Sequence, residues 1–73
     1  MYYDLWDTDT SNLLESFDTE AAALEMVRDL AQDCGDAVID TLTLIEGQES
    51  STAKRTVAYG RALLDRARAM AAT

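Results

Sequence analysis

The residues most suggestive of chemistry are oxygen-bearing side chains at alternate positions of one short segment. Asp7, Asp9 and Ser11 are followed by Asn12, and Asp18 is the twelfth residue counted from Asp7. Oxygen ligands in such a pattern are typical of calcium-binding loops. An EF-hand loop, however, has glycine in place of Asn12, usually ends in glutamate and lies between two helices. We therefore predict a hydrogen-bonded turn followed by a helix cap, and no metal site.

Carboxylates in the first twenty residues could pair as a general acid and a general base. They are Asp4, Asp7, Asp9, Glu15 and Glu20. Paired catalysis needs a cleft, and a chain of 73 residues leaves little room for one. The chain also lacks histidine, a serine in a nucleophile setting and a glycine-rich phosphate loop. We predict a protein that is not an enzyme, that uses no cofactor and whose carboxylates form a solvated acidic surface.

The single cysteine, Cys34, lies close to Asp33 and Asp36 rather than to the cationic groups that activate a nucleophilic thiol. Free cysteines usually pack like small apolar residues, so we predict that Cys34 lies in the core. One thiol excludes an internal disulfide. Without histidine or a second cysteine, an ordinary zinc site cannot form.

Charge is divided unevenly along the chain. Residues 1–50 contain thirteen carboxylates and Arg28, a net charge of −12, whereas residues 51–73 contain five basic residues and Asp65, a net charge of +4. The five basic residues are Lys54, Arg55, Arg61, Arg66 and Arg68. The overall charge of −8 repels phosphate backbones and anionic membranes. We therefore predict no nucleic-acid or membrane partner, and expect the basic residues to neutralise carboxylates within the fold or across a dimer.

The first residues of the chain and the length of its apolar segments predict where the protein is located. The chain opens on Tyr2, Tyr3, Leu5 and Trp6 rather than on basic residues and a long apolar run, and no segment approaches the roughly 20 apolar residues that span a bilayer. A cytoplasmic location is predicted.

One small domain over residues 1–73 buries little surface, so oligomerisation or partner binding is expected to supplement its core.

Two N-terminal segments predict a β-hairpin. Residues 2–7 and 13–17 contain β-forming side chains, and the polar residues between them end in Asn12, which can adopt a left-handed backbone conformation. Alternation places Tyr3 and Leu5 on one face of the first strand. Tyr2, Asp4 and Trp6 then lie on the other face.

A segment without helix breakers, residues 19–34, predicts an α-helix with Asp18 as its N-cap and Gly35 at its C-terminal end. The apolar residues at three- and four-residue spacing are Ala23, Val27, Leu30, Ala31 and Cys34.

The remaining residues predict two further strands and a second helix. Residues 41–46 alternate, with Leu42 and Leu44 on one face, and residues 47–51 form a polar loop. Residues 55–58 predict a fourth strand, and Gly60 precedes a helix from about Arg61 to Ala71. The order ββαββα predicts an α+β fold, in which two helices pack on one face of a small antiparallel sheet. The second sheet face is then exposed unless a partner covers it.

Several short segments together form a pattern. They are Trp-Asp-Thr at 6–8, Asn-Leu at 12–13, Phe-Asp-Thr-Glu-Ala at 17–21, Leu-x-Leu at 42–44 and Gly-x-x-Leu at 60–63. The pattern resembles short bacterial proteins of unassigned function, with a strand, a turn ending in Asn, a second strand and an aromatic-Asp-Thr-Glu-Ala helix start. The resemblance covers most of the chain and implies no activity or site. Ser11 stands where that pattern often has glycine.

The leading functional hypothesis is a non-catalytic, acidic protein–protein interaction module that binds a protein partner or a second copy of itself, as a homo-oligomer or a subunit of a complex. The predicted contact residues are aromatic anchors and carboxylates that select a basic partner: Tyr2, Asp4, Trp6, Asp7, Asp9, Glu15 and Tyr59. One alternative is an acidic inhibitor, antitoxin-like or a nucleic-acid mimic, of a basic nucleic-acid-binding protein. Another is an accessory subunit of a larger assembly.

Overall fold

The described residues form one four-stranded antiparallel sheet with helices on one of its faces. The structure, a computed structural model, describes residues 1–50 and 52–71. The strands are β1 (Tyr2–Asp7), β2 (Asn12–Phe17), β3 (Leu42–Gly47) and β4 (Lys54–Tyr59). The helices are α1 (Glu20–Cys34), a 3₁₀ helix (Asp36–Thr41) and α2 (Arg61–Ala71). The predicted α+β fold and the order ββαββα are confirmed, and the 3₁₀ helix is added to them.

The strands lie in the order β2-β1-β3-β4, so β2 and β4 form the edges of the sheet. Each edge strand contains a bulge. Leu14 is the extra residue of β2 opposite the Leu5–Trp6 step of β1, and Val57 is the extra residue of β4 opposite the Leu44–Ile45 step of β3. A bulge bends its strand and increases the local twist, so both edges depart from a flat ladder.

The hydrophobic core lies between the sheet and the helices. Tyr3 and Leu5 of β1 and Leu42 and Leu44 of β3 are buried there, which confirms the faces predicted for both strands. The helical side of the core contains Ala23, Leu24, Val27, Ala31, Ile39, Leu63, Leu64 and Ala67. Two apolar helix faces are thereby removed from water by one sheet face.

The prediction that Asp18 caps α1 is wrong. Thr19 is the N-cap: its backbone is extended and its Oγ1 accepts a hydrogen bond from the N–H of Ala22 at 3.2 Å. Both residue types are good caps, so local sequence does not choose between them. At the other end Gly35 has a φ of 94° and its N–H donates to the carbonyl oxygen of Ala31 at 2.9 Å, as expected for a helix-terminating glycine.

The prediction that Cys34 is a core residue is also wrong, because its side chain is exposed. Cys34 is the last residue of α1, and the chain turns at Gly35 into the 3₁₀ helix. That short helix was not predicted, and it places Ile39 in the core with no exposed surface. Ile39, rather than Cys34, is therefore the core residue that follows Ala31 in the chain.

The β1–β2 turn also differs from the prediction in one residue. Ser11 adopts the left-handed conformation, with a φ of 58°, whereas Asn12 is the first residue of β2 and pairs with Asp7. The turn is attached to the 3₁₀ helix, since the N–H and Oγ1 of Thr8 both donate to the carbonyl oxygen of Thr41, at 2.8 and 2.7 Å. With Thr8 bound to Thr41 and Asn12 paired with Asp7, the positive φ of the turn falls at Ser11.

Gly60 joins β4 to α2, as predicted. Its φ is 58°, its N–H donates to the carbonyl oxygen of Leu42 at 2.9 Å, and a Cβ at this position would lie 3.1 Å from the carbonyl oxygen of Asp40. The strand predicted at 41–46 lies one residue later in the structure, as β3. The strand predicted at 55–58 is one residue longer at each end, as β4. Ser51 of the predicted loop lies outside the described residues, as does the side chain of Ala71.

Candidate interaction surface

The outer face is the face of the sheet that points away from the helices. Residues paired directly across antiparallel strands share a face, so the register of β1 with its neighbours defines the members. They are Tyr2, Asp4 and Trp6 of β1, Leu13 and Ser16 of β2, Thr43, Ile45 and Gly47 of β3, and Lys54, Thr56 and Tyr59 of β4.

Large apolar side chains of the outer face are exposed to solvent. Leu13 is 47 % exposed and Tyr59 is 52 % exposed. Tyr2, Trp6 and Ile45 are half-buried between their neighbours. No element within residues 1–50 and 52–71 covers this face, because all three helices pack against the opposite one. The outer face is therefore an apolar surface that the described chain leaves open.

The ring of Tyr2 lies over Gly47, its partner on β3. A Cβ added to Gly47 would fall 2.9 Å from Cε1 of Tyr2 and closer still to Cζ and Oη. A side chain at position 47 would therefore overlap the Tyr2 ring, so the absence of one at Gly47 allows the ring to occupy this place.

Polar groups on the outer face are satisfied within the sheet. Asp4 is buried, although no helix covers it, and its Oδ1 accepts a hydrogen bond from Oγ of Ser16 at 2.7 Å. Thr43 is also buried, and its Oγ1 donates to the carbonyl oxygen of Ala58 at 3.3 Å. A partner would thus meet mainly hydrocarbon and aromatic surface at the centre of this face.

The structure brings together four of the seven predicted contact residues. Tyr2, Asp4, Trp6 and Tyr59 share the outer face. The other three carboxylates lie elsewhere: Asp7 and Glu15 pair with residues on the helix side of the sheet, and Asp9 lies in the turn. Oδ1 of Asp7 accepts a hydrogen bond from the N–H of Asp9 at 2.9 Å, which closes that turn.

Two apolar residues of the outer face, Ile45 and Leu13, were missed by sequence reasoning. Alternation from Leu42 and Leu44 already places Ile45 on the opposite face of β3, so its position could have been found. The face of Leu13 follows from its pairing with Trp6, and that register depends on contacts between strands.

The basic residues of the C-terminal region neutralise carboxylates inside the fold, as expected from the charge distribution. The pairs are Arg55 with Glu46 at 3.1 Å, Arg61 with Asp65 at 3.2 Å, Arg66 with Glu20 at 3.0 Å and Arg68 with Asp36 at 2.8 Å. Arg66 contacts both carboxylate oxygens of Glu20 and so joins α2 to the start of α1. These pairs are partly solvated, so each contributes little stability by itself.

A polar row crosses the helix side of the sheet at the end of β1. The hydroxyl of Tyr3 donates to Oε2 of Glu46 at 3.1 Å, and the Arg55 guanidinium donates to the same oxygen at 3.1 Å. Hydrogen bonding by Arg55 lowers the pKa of Glu46, although partial burial opposes this effect. Burial, followed by the hydrogen bond to Glu46, raises the pKa of Tyr3. The pKa of Arg55 is raised by its hydrogen bond to Glu46.

An open cavity of about 220 Å³ lies beside this row, at the β3–β4 connection. Its lining residues are Glu46, Gly47, Gln48, Ala53, Lys54 and Arg55. It is smaller than the roughly 300–1,000 Å³ typical of small-molecule sites. Among the described residues, no group of three or more cysteine, aspartate or glutamate side chains is arranged to hold a metal ion. Asp7, the first residue of the calcium-like pattern, instead supports the turn.

Comparison with known proteins gives no match to a protein family, to a curated protein or to a solved structure. Within the described part of the chain, no helix is long and apolar enough to cross a membrane. Any function must therefore be argued from the surfaces of this molecule.

Proposed function

We propose that the protein is a non-catalytic protein–protein interaction module that binds through its outer face. One observation carries this proposal: Leu13 and Tyr59 remain about half exposed on one side of a sheet whose other side holds the hydrophobic core. Single exposed apolar residues are common on proteins, but a contiguous apolar patch usually marks an interaction site.

Two aromatic residues of the outer face are suited to anchor a partner. Tyr2 is held over Gly47, and Trp6 pairs with Leu13 on one side and Thr43 on the other. Side chains that are already ordered lose little conformational entropy on binding. Tryptophan and tyrosine are also the residues most often found to dominate interface energies.

Carboxylates around the chain would select and attract the partner rather than anchor it. Asp9 is exposed in the β1–β2 turn and Glu15 is exposed on the edge strand β2. Charges at the rim of an interface act mainly on the rate of encounter and on the choice of partner. A partner with a basic rim around an apolar patch would satisfy both parts of this surface.

The test compares capture of partners from the host lysate by three tagged proteins: wild type, Trp6→Ala and Val38→Ala. Val38 is an exposed apolar residue of the 3₁₀ helix, away from the outer face, and serves as a matched control. We expect Trp6→Ala to weaken partner binding at least about 10-fold with an unchanged circular dichroism spectrum, and Val38→Ala to bind normally.

One result would contradict the proposal: unaltered capture by both Trp6→Ala and Tyr59→Ala would show that partners bind elsewhere. If Trp6→Ala unfolds, Trp6 is a core residue rather than an anchor, and Tyr59→Ala, which removes a more exposed side chain, then tests the surface itself.

A second candidate function is inhibition of a basic nucleic-acid-binding protein. It is favoured by an acidic stripe on the exposed side of α1, formed by Glu25, Asp29 and Asp33. None of the ion pairs among the described residues uses these three carboxylates. Such binding would collapse between about 0.1 and 1 M salt and would require the stripe, whereas binding through the outer face would survive.

A further inference from the structure

We draw no further inference here: the strongest candidate, the open outer face of the sheet around Trp6, Leu13 and Tyr59, belongs to the surface already described, and nothing in the structure shows what covers it.

Discussion

At the scale of single residues, small side chains determine how the large ones are presented. Gly47 allows the Tyr2 ring to lie against the backbone of β3, and Ser16 supplies the hydrogen bond that lets Asp4 be buried on an open sheet face. Neither Gly47 nor Ser16 could make a large contact with a partner. They act by fixing the aromatic and carboxylate groups beside them, which makes the outer face smooth and apolar.

Replacing Gly47 by alanine should displace the Tyr2 ring while the protein stays folded. The atoms that a Cβ would meet belong to the far end of a flexible side chain, so we expect the free energy of unfolding to change by less than about 1 kcal/mol. In wild type, ring current from Tyr2 should shift the Hα resonances of Gly47 upfield. In Gly47→Ala the contacts between the ring and this backbone should disappear from the NMR spectrum.

Gly35→Ala is the control for this prediction. Gly35 has a φ of 94° but no atom within 4 Å of an added Cβ, so its replacement should destabilise the helix end and leave Tyr2 in place. Unshifted Gly47 resonances in wild type would show that Tyr2 does not lie over the glycine.

At the scale of elements, a capping hydroxyl defines the start of α1. Thr19 accepts from Ala22, and Glu20 in the first turn adds a negative charge where the helix dipole favours one. Glu20 also binds Arg66, so the start of α1 is attached to α2. A cap and a charge pair thus lie together at the start of this helix, whose apolar face packs in the core.

Thr19→Ala should therefore destabilise the protein by about 1 kcal/mol, the usual effect of removing a capping hydroxyl. For a chain of this size the melting temperature should fall by about 4–8 °C. Asp18→Ala should have a smaller effect, about 0.3 kcal/mol, because Asp18 acts only through the helix dipole. Thermal unfolding of both variants by circular dichroism makes the comparison, and a larger loss in Asp18→Ala would mean that Asp18 is the cap.

At the scale of the whole molecule, a polar row joins β1, β3 and β4 and makes stability depend on pH. The Tyr3 hydroxyl and the Arg55 guanidinium donate to the same oxygen of Glu46. Burial raises the pKa of Tyr3, and the hydrogen bond from Arg55 lowers the pKa of Glu46.

The directions of these shifts predict how stability changes with pH. The pKa of Glu46 is lowered on folding, so its contribution is present above its ordinary pKa of 4.5 and is lost as the pH falls below that value. The pKa of Tyr3 is raised, so its contribution is present below pH 10.0 and is lost as the pH rises above it.

Urea denaturation between about pH 3 and 11 tests both directions. The stability difference between wild type and Glu46→Gln should shrink toward pH 3, and the difference between wild type and Tyr3→Phe should shrink above pH 10. A difference for Glu46→Gln that grows as the pH falls would contradict the assigned role of the Arg55 pair.

The order of the elements and the faces of β1, β3 and α1 follow from local sequence alone. Alternation in residues 2–7 separates Tyr3 and Leu5 from Trp6, and helical spacing in residues 19–34 selects Ala23 and Val27 for the core. These features depend on neighbours within a few positions of the chain, so periodicity is sufficient to predict them. The cap at Thr19 and the exposure of Cys34 were not predicted.

Alternation predicts that Tyr2, Asp4 and Trp6 share a face, but the tertiary structure decided which residues lie beside them. Leu13 lies beside Trp6 because β1 pairs with β2 in the observed register, and Tyr59 shares their face because β3 lies between β1 and β4. The burial of Ile39 and the exposure of Cys34 likewise depend on where the chain turns after α1. Strand order and register depend on contacts between segments far apart in the chain, and no local pattern specifies those contacts.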